Sequence, residues 1–150
     1  MHHTRWVLSF AVLLAGCGGG SPPTPPTGNL LSVGGTYTVA VVLAQNSCGP
    51  VTVAAQPTSV THTPGANRFT LVHGSNAFAG SVANDGSFTT DPLTLNDGQT
   101  ILTVALQGRF TTTGLDATAT VDVRPPAPAS TCQYRVQWTG TKVGAPNVIP

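Results

Sequence analysis

Two neighbouring stretches of this chain restrict its fold more than anything else in it. Between Gln99 and Phe110, Leu102, Val104, Leu106 and Phe110 share one parity. After Thr113-Gly114, Leu115, Ala117, Ala119, Val121 and Val123 alternate with Asp116, Thr118, Thr120 and Asp122. A repeat of two places every second side chain on one face of a pleated strand, and no helix satisfies it. Together the stretches predict a hairpin, whose apolar face needs further strands to cover it.

The rest of the chain supplies those strands. Tyr37, Val39, Val41 and Leu43 alternate with polar or small residues, Val51 to Gln56 reads as a second strand stopped by Pro57, and a third begins near Arg68 with Phe69 and Leu71. His73-Gly74-Ser75-Asn76 turns the chain into a fourth strand carrying Phe78 and Val82. Asn84-Asp85-Gly86 then supplies the positive-φ residues a tight hairpin needs, and Phe88 lies on the return. Asn96-Asp97-Gly98 repeats that signal. A Pro-rich crossing, Arg124 to Pro128, leads to a last strand in which Cys132, Tyr134, Val136 and Trp138 alternate with Gln133, Arg135 and Gln137. Lys, Glu and Met, the usual residues of exposed helices, are nearly absent. The expectation is an all-β domain of about eight antiparallel strands.

Cys48 and Cys132 suggest how the ends meet. If the first and last strands pair antiparallel with these cysteines opposite one another, Val42 faces Trp138 and Ala44 faces Val136, give or take a bulge of a residue or two. That pairing closes an up-and-down sheet into a small barrel and removes its edges. A disulfide would pin the seam. Crosslinking a loop of about 85 residues is worth roughly 4 to 5 kcal/mol in the chain-entropy model. The alternatives are a two-sheet sandwich clasped by the same bond, and two separate buried thiols.

The N-terminus sets the compartment. Arg5 precedes a nine-residue, largely apolar run, Trp6 to Leu14, which ends in Leu14-Ala15-Gly16-Cys17. At about 1.5 Å per residue the run spans ~14 Å, under half of a ~30 Å hydrocarbon core, so it reads as a secretory signal rather than a permanent span. The motif resembles the lipobox of bacterial lipoproteins, in which the cysteine thiol is diacylated and the chain is cut just before it. The resemblance implies a signal peptide over residues 1–16, a lipid anchor on Cys17, and an oxidising envelope compartment in which Cys48 and Cys132 pair. It also implies the outer membrane if the host has one, because residues 18 and 19 are glycines and not the retaining aspartate. Residues 17–28 continue in Gly, Ser, Pro and Thr, a composition that cannot bury apolar surface and so forms a tether. The all-β domain is then 29–150.

Charge excludes some partners. From Cys17 onward, Arg68, Arg109, Arg124, Arg135 and Lys142 balance Asp85, Asp91, Asp97, Asp116 and Asp122, with no glutamate. Such a neutral chain has no basic cluster for nucleic acid, and nothing for a membrane beyond the anchor.

Reactive clusters are equally sparse. His62 and His73 have no near carboxylate or cysteine to complete a metal site. Ser75 and Ser87 lie at hairpin turns without a nucleophile elbow, the Asn-Asp-Gly sites lack the rest of a calcium loop, and the aspartates are turn formers or face outward. No enzyme activity, no cofactor and no metal is expected. The C-terminal Trp138-Thr139-Gly140-Thr141-Lys142 and its Gly/Pro-rich tail read either as a binding loop or as a frayed end.

Three functions fit: a non-catalytic envelope lipoprotein binding an unknown ligand or partner, an enzyme inhibitor, and a small-molecule carrier. Lipobox, small barrel and single disulfide are similar to the membrane-bound lysozyme inhibitors of Gram-negative bacteria, although the Ser-Gly-x-x-Tyr-type signature of that family is missing. A carrier in the lipocalin manner would need a hollow interior, and inward Ala117 and Ala119 either leave that space or face large aromatic side chains.

Overall fold

The computed structural model describes residues 30–96 and 98–150; the signal peptide, Cys17, the tether and Asp97 lie outside the described residues. Among these residues there is no helix. Nine strands follow in order: β1 (Gly35–Asn46), β2 (Thr58–His62), β3 (Arg68–His73), β4 (Asn76–Val82), β5 (Ser87–Thr90), β6 (Leu93–Asn96), β7 (Ile101–Thr111), β8 (Gly114–Arg124) and β9 (Cys132–Val143). Every pairing is antiparallel. The ring runs β1-β2-β3-β4-β5-β7-β8-β9 and back to β1, an eight-stranded up-and-down barrel, with β6 added on β7.

The ninth strand arises from a break. β5 and β6 lie one after the other along the same edge of β7, opposite residues 107–109 and 101–104 respectively. Between them stands Asp91-Pro92, and proline has no N–H to continue a ladder. The side chain of Thr90 bridges the interruption, its Oγ1 accepting from Leu106 N at 2.9 Å, while Asp91 N turns back to Ala79 O at 2.8 Å.

The seam joins β1 to β9. Val41 faces Trp138 and Leu43 faces Val136, one residue from the expected pairs, and beyond a bulge between Leu43 and Gln45 the ladder resumes with Asn46 opposite Tyr134. The extra residue is Ala44, and with it the register reaches Cys48 and Cys132, which form a disulfide with Cα atoms 5.1 Å apart.

One expected strand is displaced. Val51 to Gln56 belongs to no ladder, and the second strand starts at Thr58 instead. Ser47 N donates to Gln133 O, and the disulfide draws the next residue toward β9, on the side of β1 away from β2. From there the chain cannot fold straight back along β1. The β1–β2 ladder consequently holds only Gly35 to Tyr37.

Packing fills the ring. Phe69, Phe88, Phe110 and Tyr37 form one aromatic cluster, with centroids of Phe88 and Phe110 4.7 Å apart and of Phe69 and Phe88 5.4 Å apart, edge to face. Each such contact is worth roughly 0.5 to 1.5 kcal/mol beyond the area it buries. Leu71, Phe78, Leu106, Leu115 and Trp138 continue the core. Ala117 pairs with Trp138, so its small side chain makes room for an indole rather than a lumen. Gly86 is required twice over, by φ of +84° and because a Cβ there would overlap the Phe110 carbonyl oxygen.

Candidate binding site at the open end

The two ends of the barrel are built differently. At the end holding Gly35 and Val143, both flanks of the ring fold across the opening. Leu31 and Val33 are buried, and Ser32 exchanges two backbone hydrogen bonds of 2.9 Å with Val148. Asn147, only 4% exposed, organises this plug. Its Nδ2 donates to Thr111 O at 2.7 Å and Gly114 O at 3.1 Å, while its Oδ1 accepts from Lys142 Nζ at 2.7 Å. The Tyr37 hydroxyl sits between two acceptors, Val33 O at 2.6 Å and Asn147 Oδ1 at 2.8 Å. Burial pushes the Tyr37 phenol up to about 12, and it pulls the Lys142 ammonium down.

The C-terminal segment is therefore not a frayed end. β9 runs through Lys142 to Val143, Lys142 Nζ also donates to Gly34 O at 2.6 Å, and the tail is held by Asn147 and Val148. Sequence reasoning missed Asn147, since one asparagine in a Gly/Pro-rich tail looks like any loop residue.

At the opposite end the long strands β1, β7, β8 and β9 continue, with the short β6 beside β7. β2 and β3 stop at Thr58 and His73, whose ring lies on Trp138 with centroids 4.2 Å apart and meets Thr58 Oγ1 through Nδ1 at 2.7 Å. Burial lowers the His73 pKa, and a hydrogen bond to the Ala54 backbone works against that. Past this level Val41, Leu43, Leu93, Val104 and Tyr134 stay half-buried, and Val53 from the segment after the disulfide likewise packs against the core. A cavity of about 640 Å³ opens there. Val51, Leu102, Val123, Pro125 and Tyr134 form its apolar wall, the Cys48–Cys132 bridge crosses it, and Ser47, Thr100, Ser130 and Thr131 stand around it. Among the described residues no Asp, Glu, Lys, Arg or His lines it. The Tyr134 phenol is pushed up by burial. On the outer side of the same strands lies a second hollow of about 810 Å³, walled by Thr103, Asp122, Arg124 and Gln133, where Gln133 Nε2 donates to Asp122 Oδ1 at 2.7 Å.

The other chemistry-bearing residues stay apart. His62 ends β2, its Nε2 2.9 Å from Ala66 O. Asp85 accepts from Ser87 N, Ser87 Oγ and Arg109 Nη2; these partners, Ser87 foremost, hold its carboxyl below the usual range. Asp91 pairs with Arg68 at 2.8 Å. Asp116 is exposed on β8, and Ser75 lies in the β3–β4 turn. Among the described residues no three His, Cys, Asp or Glu side chains converge on one point. Neither protein-family models, curated proteins nor solved structures give a match to this chain.

Proposed function

We propose that this protein is an envelope lipoprotein, anchored through Cys17, whose barrel is a non-catalytic binding module that works through its open end. One observation carries the reading: the chain enters the domain at the plugged end, where Leu31 and Val33 are buried beside the C-terminal tail. A tether leading from an acylated Cys17 to Leu30 attaches there, so the cavity opens at the far end, away from the anchor. A rigid closed sheet with its mouth on one side and its tie on the other suits capture of a ligand or partner at a membrane surface. With glycines at 18 and 19, the outer membrane is the destination where the host has one. A lipocalin-type carrier needs a deep lumen, and the cluster of Phe69, Phe88 and Phe110 occupies that space.

The test is Cys17→Ser followed by membrane fractionation. The variant is expected to leave the membrane fraction or to stay uncleaved. A variant still membrane-bound and cut before residue 17 would overturn the anchor.

A further inference from the structure

Resting on the reading of the open end as the binding face, the geometry points to the 640 Å³ mouth cavity as a site for one uncharged, largely apolar small molecule bearing a hydroxyl or carbonyl head group. Its size is that of a ligand pocket, which typically measures about 300 to 1,000 Å³. Its wall selects the class. Leu102, Val123 and Val51 present hydrocarbon, and among the described residues none that lines the cavity carries a carboxylate, guanidinium, ammonium or imidazole to pair with an ionic ligand. An ion lying against its apolar wall would find, among the described residues lining it, no opposite charge to offset the hydration it gives up there.

Tyr134 provides the polar contact. Its ring packs against the core, it is half-buried on the cavity wall, and among the described residues its hydroxyl makes no hydrogen bond. That hydroxyl can donate to a carbonyl or exchange with an alcohol. The wall is also fixed before any ligand arrives. Cys48–Cys132 fastens the Val51 segment to β9, and Ser47 Oγ donates to Gln133 O at 2.9 Å and accepts from Gln133 N at 3.0 Å. A preformed wall spares the ligand the cost of ordering it.

The outer hollow offers nothing comparable. Its Asp122 is already engaged by Gln133, and its charges have both signs.

The experiment is photolabelling of the full-length chain in its own membranes with a diazirine derivative of decanol, followed by peptide mapping. Label is expected on the segments around Val51, Leu102 and Tyr134, blocked by excess decanol but not by decanoate or decylamine. Val51→Arg, which places a cation in the mouth, should cut labelling by about tenfold or more. Tyr134→Phe should weaken competition by decanol about three- to tenfold while leaving the fold intact. Leu102→Phe, which keeps the wall apolar but fills the space, should also reduce labelling. Label spread evenly over the strands, block by decanoate or decylamine as effective as by decanol, or full labelling of Val51→Arg and Leu102→Phe would each overturn the site. The same membranes report acylation at Cys17. Mouth labelling on an unacylated chain would sustain the site and remove the anchor, whereas an acylated chain without mouth labelling would do the reverse.

Discussion

The two ends of this barrel share strands, sequence style and core, yet one is shut and the other gapes. The difference lies in strand length. β1, β7, β8 and β9 run 11 or 12 residues, while β2 to β6 run from 4 to 7. Where all members of the ring reach the rim, aromatic side chains meet across it and two chain segments fold over the top. Where the long strands run on with only β6 beside them, β2 to β5 supply no opposite wall, and Val41, Leu43, Val104 and Tyr134 remain half-buried. A small barrel thus makes a pocket without a lumen, by ending one side early.

The sharpest way to break this comparison is to truncate one core side chain at each end. Phe110→Ala should cost about 3 to 5 kcal/mol, because its ring touches Tyr37, Phe69 and Phe88 and the cavity left has nowhere to collapse. Leu102→Ala, at the half-covered mouth, should cost about 1 kcal/mol. Equal losses in denaturant unfolding would mean that the mouth is as tightly packed as the plug.

Next in size is the disulfide. Replacing both Cys48 and Cys132 with alanine should lower stability by about 2 to 5 kcal/mol. Hydrogen exchange in that variant should quicken most over residues 47–57 and leave the plug protected. Faster exchange at Leu31 and Val33 instead would show that the ends are not independent.

Asn147→Ala addresses the plug alone. It strips Thr111 O and Gly114 O of donors and Lys142 of one acceptor, for an expected loss of about 1 to 3 kcal/mol with the mouth cavity untouched. Tyr37 adds an alkaline signature to this end. The folded chain holds the phenol proton up to about pH 12, whereas the unfolded chain releases it near the ordinary 10.0, so stability should be full below pH 10 and fall between the two. Tyr37→Phe should flatten that limb.

The smallest effect belongs to His73, at the level where the short strands stop. Its pKa lies below the ordinary 6.5, so the unfolded chain takes up the proton first. Stability contributed by the neutral ring is present above pH 6.5 and declines as pH falls below it. An acid limb in thermal melts of the native chain that persists unchanged in His73→Phe would assign the effect elsewhere.

Much of this architecture was legible in the residues because its long strands alternate cleanly. The β7–β8 hairpin follows from parity, and the β1–β9 seam follows, to within one residue, from pairing the strands that lead to Cys48 and Cys132, the two cysteines left beside Cys17. β2 did not follow. Thr58-Ser59-Val60-Thr61-His62 has a single large apolar residue, and the side chain beside Val60 on the inner face is Thr58, buried although polar and donating to Gln56 O at 3.0 Å. Val51 and Val53 mimic a strand better than β2 itself, but their neighbours are prolines and a disulfide that carries them the wrong way. β6 is four residues beside a proline, too short to signal. The mouth was illegible for a different reason. A cavity made by strands that stop early is a property of length differences across the ring, and no local pattern encodes it.

The placement of cations has a further effect, on survival among proteases. Each described Lys and Arg sits within a strand: Arg68 on β3, Arg109 on β7, Arg124 on β8, Arg135 and Lys142 on β9. A protease that cuts after basic residues needs several consecutive residues drawn out into its cleft, and exposed loop tips are where chains usually yield. Here the loops offer no such residue, and Arg124 is followed by proline. Nicking must wait until a ladder comes apart, so digestion of the domain by such an enzyme would follow its unfolding equilibrium and not the mobility of its turns.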